Sequence, residues 1–220
     1  MAPENASLPV GDTRALIVVD MQHDFADPAG SLFVAGAPDI VAGVVEAVDA
    51  VVAAGGLVVY TQDWHPPHTP HFAVDGGTWP VHCVMGTPGA AFVPELPIRG
   101  PVVRKGSGPE DGYSGFSVRD IPTGVTRGTE LSTILDENGI MAITVVGLAG
   151  DWCVKATAVD GVGLGYHTTV PLALTRFVNL QPGDDAVAVA AMREAGVTVL
   201  PDAGSSGLGA GAGSSGPGVG

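Results

Sequence analysis

Short apolar runs rich in β-branched residues recur along the chain, and helix-like segments separate them. Runs of only four or five such residues are typical of strands that are covered on both faces. We predict six strands, at 15–19, 57–61, 101–104, 142–146, 167–170 and 197–200. Their alternation with helices indicates that each connection crosses over and returns to a parallel strand.

The segments between these strands carry start and stop signals for helices. Asp39 stands in the first turn of one such segment, and Gly55 and Gly56 follow its end. We predict helices at 39–54, 129–138, 152–164 and 184–195. The fold class is therefore α/β: a doubly wound, mostly parallel six-stranded sheet with helices on both faces and a Rossmann-like strand order.

The length of 220 residues suits one domain with a full hydrophobic core. We expect an N-terminal extension at 1–13, a folded domain at 14–201 and a disordered tail rich in glycine and serine at 202–220. The connection at 62–100 is dense in His, Pro, Gly and Trp, and connections this long are usually functional.

Charge and hydropathy exclude several classes of partner. The net charge of −14 argues against nucleic acid, which is bound by clusters of Lys and Arg. No apolar run reaches the roughly 20 residues of a membrane helix, so we expect no membrane partner. The first residues lack the features of a signal peptide, and two cysteines are too few for a disulfide scaffold. We expect a cytoplasmic protein, and a homo-oligomer is compatible with the sequence.

Reactive residues follow the ends of four predicted strands. Asp20 comes after the first strand, Asp63 and His65 after the second, Lys105 after the third and Cys153 after the fourth. Ligands of open α/β sheets bind at the carboxyl ends of the strands. We therefore expect an acid, a pair of metal ligands, an ammonium group and a thiol to converge at one edge of the sheet.

Cys153 lies just past a glycine-rich turn that leads from a strand into a helix. The amides at a helix N-terminus lower the pKa of a thiol and can hold an oxyanion, so this position favours a nucleophile. Asp20 would then exchange a proton with the thiol and the leaving group, and the charge of Lys105 would stabilise both anions. The alternatives are a buried structural cysteine, an aspartate in a helix cap or ion pair, and a solvated lysine. Cys83 has no such turn, and core packing or proximity to a metal explains it better.

The long connection also carries a candidate metal site. Its proposed ligands are one carboxylate and three imidazoles, from Asp63, His65, His71 and His82. Such a set suits a divalent ion, with zinc expected first and iron or manganese as alternatives. His68 is left out of the set. The competing interpretation is a group of scattered surface histidines, but four of the six histidines of the chain lie in this one connection.

Four aromatic residues are placed near the same edge, and each of them could instead belong to the core. Phe25, Trp79 and Tyr113 lie in loop-like segments, and Trp152 directly precedes the candidate nucleophile. Together they could form the walls of a site for a flat aromatic ligand.

With these residues assembled, the chain resembles the nicotinamidase and pyrazinamidase branch of the isochorismatase-like cysteine hydrolases over about residues 14 to 200. The matching segments are ALIVVDMQHDF (15–25), DWHPPHTPHF (63–72), WPVHCVMGTPGA (79–90), KG (105–106), YSGF (113–116) and VVGLAGDWCV (145–154). The resemblance implies an isochorismatase-like fold.

The resemblance also implies roles for individual residues. It implies a catalytic triad of Asp20, Lys105 and Cys153, metal ligands at Asp63, His65, His71 and His82, and an oxyanion site at the amides of Ala149 and Cys153. It further implies a cis peptide bond between Leu148 and Ala149. The activity implied is the deamidation of nicotinamide, and of similar amides such as pyrazinamide, to the acid and ammonia in NAD salvage.

Two other functions remain open at this point. The chain could be another hydrolase of the superfamily that acts on a different small amide, a carbamoyl compound or a vinyl ether. It could also be a non-catalytic protein that binds a ligand or metal. A nucleotide-binding Rossmann domain is disfavoured, because no Gly-x-Gly-x-x-Gly follows the first strand.

Overall fold

Strand β1 (Arg14–Val19) lies at the centre of the sheet, between two parallel neighbours. The computed structural model describes residues 13–202. The predicted extension at 1–13 and the predicted tail at 202–220 therefore lie outside the described residues, apart from Thr13 and Asp202.

Along the described residues the elements follow the predicted alternation. In chain order they are β1 (Arg14–Val19), α1 (His23–Ala26), α2 (Ala37–Ala53), β2 (Leu57–Asp63), β3 (Val102–Lys105), β4 (Ser117–Arg119), β5 (Thr126–Gly128), α3 (Leu131–Glu137), β6 (Ala142–Leu148), α4 (Lys155–Gly163), β7 (His167–Pro171), β8 (Thr175–Arg176), α5 (Asp184–Glu194) and β9 (Thr198–Leu200). None of the helices in this part of the chain has both the length and the hydropathy needed to cross a bilayer.

The main sheet has the strand order β3-β2-β1-β6-β7-β9, and all of these pairs are parallel. All six predicted strands and the doubly wound, Rossmann-like order are confirmed. The structure adds a seventh, two-residue strand, β8, which pairs with the end of β6. Successive strands are added on one side of β1 up to β3 and on its other side from β6 onward. Ligands of this fold class bind at such a switch point between β1 and β6.

Alternate residues of β1 enter two separate core layers. Leu16 and Val18 pack in the layer that holds α2, with Ile40 and Val44 from that helix. Ala15, Ile17 and Val19 pack in the opposite layer, whose other members include Leu131 of α3, Ala158 of α4 and Met192 of α5. Burial of both sheet faces explains why the strands are apolar runs without polar alternation.

Four numbered elements are absent from the sequence prediction: the short helix α1, the two strands of the antiparallel hairpin, β4 and β5, and β8.

The long connection begins after β2, whose last residue is Asp63, and it contains single turns of 3-10 helix at Ala73–Asp75 and Pro88–Ala90. Isolated bridges fix its path, between Gln22 and Phe92 and between His65 and Val84. His65 is thereby held against the sheet edge.

Candidate active site

The carboxyl ends of four neighbouring strands supply the central side chains of the site. Asp20 follows β1, and Asp63 and Lys105 are the last residues of β2 and β3, which the register pairs directly. Cys153 lies in a single π-helical turn, Gly150–Val154, between β6 and α4. All four side chains are buried, and the structure brings them together as the sequence predicts.

Lys105 is the hub of this cluster. Its Nζ lies 2.7 Å from Oδ2 of Asp20 and forms a second ion pair with Asp63. It also donates a hydrogen bond of 2.6 Å to the carbonyl of Gly112 and lies 3.5 Å from Sγ of Cys153. One buried ammonium thus touches two carboxylates and the thiol.

These contacts move the pKa values of the charged groups in different directions. Burial alone would lower the pKa of Lys105, but Asp20 and Asp63 raise it well above its usual range, so the group is a cation. For the Asp63 carboxyl, burial acts in the opposite direction and would raise the pKa. Lys105 and the neighbouring imidazoles outweigh burial and hold the pKa of Asp63 low. For Asp20 burial dominates over Lys105 and raises the pKa to about 6. Asp20 is therefore the carboxylate that can exchange a proton near neutral pH.

The thiol of Cys153 differs from the sequence expectation. We predict a lowered pKa from the helix N-terminus, whereas in the structure burial raises the pKa of Cys153 well above its usual range. Lys105 opposes this shift, and Asp20 adds to it through its charge and its hydrogen bond with the thiol. The thiol therefore keeps its proton until a base removes it, and a carboxylate oxygen of Asp20 lies within 4.8 Å of the Cys153 sulfur.

Thr61 holds the Asp20 carboxyl in place. Its Oγ1 donates a hydrogen bond of 2.7 Å to Oδ1 of Asp20. Asp20 itself has a φ of 49°, a left-handed conformation that non-glycine residues seldom adopt and that is found at functional sites. The carboxyl is thereby fixed between β1 and β2, facing Lys105.

Three buried imidazoles form a cluster beside Asp63. The ligand nitrogens of His65, His71 and His82 all lie within 4.8 Å of one another. Oδ2 of Asp63 is 3.5 Å from Nε2 of His65 and 3.8 Å from Nε2 of His82. Three imidazoles and one carboxylate at these separations suit a divalent metal ion.

Hydrogen bonds orient two of these imidazoles for a metal. Nδ1 of His65 lies 2.9 Å from the carbonyl of Gly106, and Nδ1 of His82 lies 2.7 Å from the carbonyl of Pro80. Each carbonyl accepts the Nδ1 proton, which leaves Nε2 as a lone-pair donor. Nε2 of His65 is buried and has no hydrogen-bond partner within residues 13–202, so its lone pair is free to coordinate a metal ion. The residues present therefore fit a metal.

Gly106 is required for this arrangement. Its φ is +71°, and a Cβ there would lie 2.3 Å from the His65 ring. Any larger residue would push the imidazole away from the cluster.

The protonation of the other imidazoles suits the same role. Burial lowers the pKa of His71 to about 3 and also lowers that of His82, so both are neutral at pH 7.

His68, which we leave out of the ligand set, is exposed over 83% of its side chain and pairs with Asp75. Cys83 is fully buried, and its carbonyl accepts a hydrogen bond of 3.0 Å from the amide of His65.

A pocket lies beside Cys153. Its lining combines the thiol and some of the candidate metal ligands with apolar and aromatic side chains. The lining residues are Phe25, Leu32, Val34, Asp63, His71, Trp79, His82, Tyr113, Ala149, Trp152, Cys153 and Val178. All four aromatic residues singled out in the sequence therefore line the cavity.

The aromatic walls brace one another. Nε1 of Trp79 donates a hydrogen bond of 2.9 Å to the hydroxyl of Tyr113. The ring of Trp152 lies edge-on to Trp79 at 4.8 Å and tilted against Tyr113 at 5.2 Å. Three rings thus form one continuous wall, and the favourable ring geometries hold it rigid.

The turn before the thiol contains the predicted cis peptide bond, between Leu148 and Ala149. Backbone amides of the same turn bond back to Ala149, whose carbonyl accepts from Trp152 and Val154, each at 3.0 Å. Ala149 lines the cavity beside Cys153.

Two contributions to the site escape the sequence prediction. Gln22 is fully buried, and its amide group both accepts from the Asp63 amide and donates to the Asp63 carbonyl, each at 2.8 Å. A polar residue three places after an apolar strand is a signal that could have found it. Leu32, Val34 and Val178 complete the cavity, and their segments carry no periodic pattern that would place them there.

Comparison with known proteins agrees with this geometry. The model of the isochorismatase domain family matches residues 14–203. The nicotinamidase of Escherichia coli (strain K12) is 35% identical over 204 residues, which cover 84% of this chain and 93% of that protein. The crystal structure of the pyrazinamidase of Pyrococcus horikoshii in complex with zinc has 36% identity and a TM-score of 0.77, covering 86% of this chain and 99% of that one.

A second solved structure, PnC1 from L. infantum in complex with nicotinate, has 35% identity and a TM-score of 0.79. The match covers 88% of this chain and 96% of that one. Since the family model spans nearly the whole described chain and full-length relatives align with it, this chain belongs to the isochorismatase domain family.

Proposed function

We propose that this protein is a nicotinamidase that hydrolyses the carboxamide of nicotinamide to nicotinate and ammonia. The observation that carries the proposal is the contact of Lys105 with both Asp20 and Cys153 at the floor of an aromatic-walled cavity. An acid, a thiol and a fixed cation are the groups that a cysteine amidohydrolase needs. The similarity to a nicotinamidase and to a nicotinate complex supports nicotinamide as the substrate.

The first half of the reaction forms a thioester. The Asp20 carboxylate takes the proton of the Cys153 thiol, and the sulfur forms a bond with the carboxamide carbon. Asp20 then gives its proton to the amide nitrogen, the carbon–nitrogen bond breaks, and ammonia leaves. The raised pKa of Asp20, about 6, suits both the uptake and the release of this proton.

The second half of the reaction releases the acid. Asp20, again ionised, takes a proton from a water molecule, whose oxygen attacks the thioester carbon. The carbon–sulfur bond breaks, and the proton returns to the Cys153 sulfur. Nicotinic acid and the free thiol result, so atoms and charge balance over the cycle, and the released acid then loses its proton to the ammonia to give nicotinate and ammonium.

Two further groups stabilise charge during these steps. The backbone amides of Ala149 and Cys153 hold the oxyanion that forms when the sulfur attacks. Lys105, fixed as a cation, lowers the energy of the thiolate without itself transferring a proton. Its bond to the Gly112 carbonyl keeps the ammonium in place throughout.

Asp63, His65, His71 and His82 would hold the divalent ion, and we propose zinc. When bound, the ion supplies a Lewis-acid site that orients the ring nitrogen of the substrate. The wall of Trp79, Tyr113 and Trp152, with Phe25 among the lining residues, binds the flat ring. A ring with a second nitrogen, as in pyrazinamide, fits the same description.

The remaining expectations follow from this function. We propose 14–201 as the bounds of the catalytic domain, which the family match over 14–203 supports. We also propose a cytoplasmic location, because a nucleophilic thiol must stay reduced and both cysteines are free. Deamidation there would return nicotinamide to NAD synthesis.

The direct test is the release of ammonia and nicotinate from nicotinamide by the metal-replete protein. Pyrazinamide should be hydrolysed as well, and an acyclic amide or a carbamoyl compound should be hydrolysed far more slowly. Preferential release of ammonia from an acyclic amide would contradict the proposed substrate, and no hydrolysis of any amide would contradict the activity.

A further inference from the structure

Val178 forms a part of the cavity wall that belongs to none of the motifs in the sequence. It comes two residues after β8, which pairs with the end of β6 at Gly147 and Leu148. Its side chain is half-buried and lines the cavity beside Trp152 and Cys153. Val178 is therefore a partly exposed residue of the cavity wall.

Asp151 holds this wall in place. Its carboxylate is buried, and its two oxygens each accept a backbone amide, from Val178 and from Asn179, both at 2.9 Å. Asp151 itself lies in the π-helical turn, two residues before Cys153. One side chain thus ties the turn that carries the thiol to the segment that carries the wall.

Packing on either side of this tie is close. A Cβ at Gly150 would lie 2.5 Å from the ring of Phe177, so the wall segment lies directly on the turn. On the far side, Oδ1 of Asn179 accepts the amide of Asp185 at 2.8 Å, in the first turn of α5. Between these two contacts, the position of the Val178 backbone depends on its hydrogen bond to Asp151.

We infer that Asp151 is a positioning residue that sets the substrate wall through Val178 and thereby determines how tightly the ring is held. Asp151 neither lines the cavity nor touches Lys105 through any contact described for residues 13–202. Substitution of Asp151 should therefore change substrate binding and access to the thiol, and it should not change the proton transfers. The kinetic part of this inference rests on the proposed function.

The test uses Asp151→Asn, Val178→Ala and the double variant in the metal-replete protein. Asn keeps the size of Asp but has one acceptor oxygen, so one of the two amide bonds is lost. Removing two methyl groups from the wall at Val178 should raise KM for nicotinamide about tenfold, with kcat within about twofold of wild type. Asp151→Asn should raise KM in the same way.

The double variant distinguishes an effect of Asp151 that acts through Val178 from an effect that is independent of Val178. If Asp151 acts through the wall, KM of the double variant should equal that of the more affected single variant, because coupled residues are not additive. Multiplied effects in the double variant would overturn the inference. So would an unchanged KM in Val178→Ala, which removes no hydrogen bond and should fold even where Asp151→Asn does not.

A second measurement needs no substrate. The rate at which iodoacetamide labels Cys153, read by peptide mass, should rise severalfold in both single variants. Asp120→Asn is the matched control, since Asp120 also accepts a backbone amide, from Thr123 at 2.8 Å, but lies in an exposed turn elsewhere. Its labelling rate and KM should equal those of wild type.

The two measurements separate failure of this inference from failure of the proposed function. Wild-type labelling rates in both Asp151→Asn and Val178→Ala would overturn the wall assignment, whatever the activity. Faster labelling without ammonia release from nicotinamide in wild type would count against the proposed function alone and would uphold the wall.

Discussion

Nζ of Lys105 lies 2.7 Å from the carboxylate of Asp20, and both side chains are fully buried. The same ammonium also pairs with Asp63. A buried charge that loses its partner is strongly destabilising, so two carboxylates depend on this one cation.

Replacing Lys105 with Met should therefore reduce both stability and turnover. We expect the free energy of unfolding to fall by about 3–5 kcal/mol, because Asp20 is left without its buried cation and Asp63 loses one of its partners. Chemical denaturation measures this change. Lys155 is the other lysine of the chain and lies over the ring of Trp152 at 5.9 Å, so Lys155→Met should change stability little.

Replacing Cys153 with Ala should abolish turnover while the fold and the bound metal persist. We expect ammonia release from nicotinamide to fall by about 10⁴-fold or more, since no other thiol lines the cavity among the described residues. Cys83→Ala is the matched control, because burial also raises the pKa of Cys83 yet its thiol does not line the cavity. Equal turnover losses in the two variants would point to a structural role for both cysteines.

The pH dependence of kcat/KM should report Asp20. Its pKa is raised to about 6, so this carboxylate, the proposed acceptor of the thiol proton, is ionised above this pH and protonated below it. We expect kcat/KM to fall about tenfold per pH unit on the acid side. Asp20→Asn, which cannot accept the proton, should lose activity at every pH. A profile that stays flat well below pH 6 would remove Asp20 from the role of base.

Loss of a single imidazole should lower metal content before it alters the fold. We expect His71→Ala to weaken binding of the divalent ion by about a hundredfold or more, because it removes one of three clustered nitrogens. Metal analysis after dialysis measures this loss. His68→Ala lies in the same loop but removes an exposed side chain, so its metal content should match that of wild type.

The parts of the site that sequence predicts are those tied to strand ends. Asp20, Lys105 and Cys153 follow apolar runs that are recognisable one at a time, and parallel pairing brings such ends together. The metal cluster is predictable for a different reason, since its histidines and Asp63 are close in sequence.

Features that depend on distant packing are not predictable in this way. Strand β8 has only two residues, Thr175 and Arg176, and exists because β6 offers an edge beyond β7. The wall residue Val178 and its link to Asp151 depend on that pairing. The pKa of Cys153 is a similar case: the turn predicts a lowered value, but the degree of burial, which only the folded structure contains, decides the direction.

The most direct test of the central claim is to trap the covalent intermediate on the protein. Metal-replete enzyme mixed with excess nicotinamide and quenched in acid should yield, by peptide mass spectrometry, a nicotinoyl thioester on the peptide that contains Cys153 and none on the peptide that contains Cys83. Ammonia release that continues in Cys153→Ala, or an acyl group found on another residue, would contradict the mechanism.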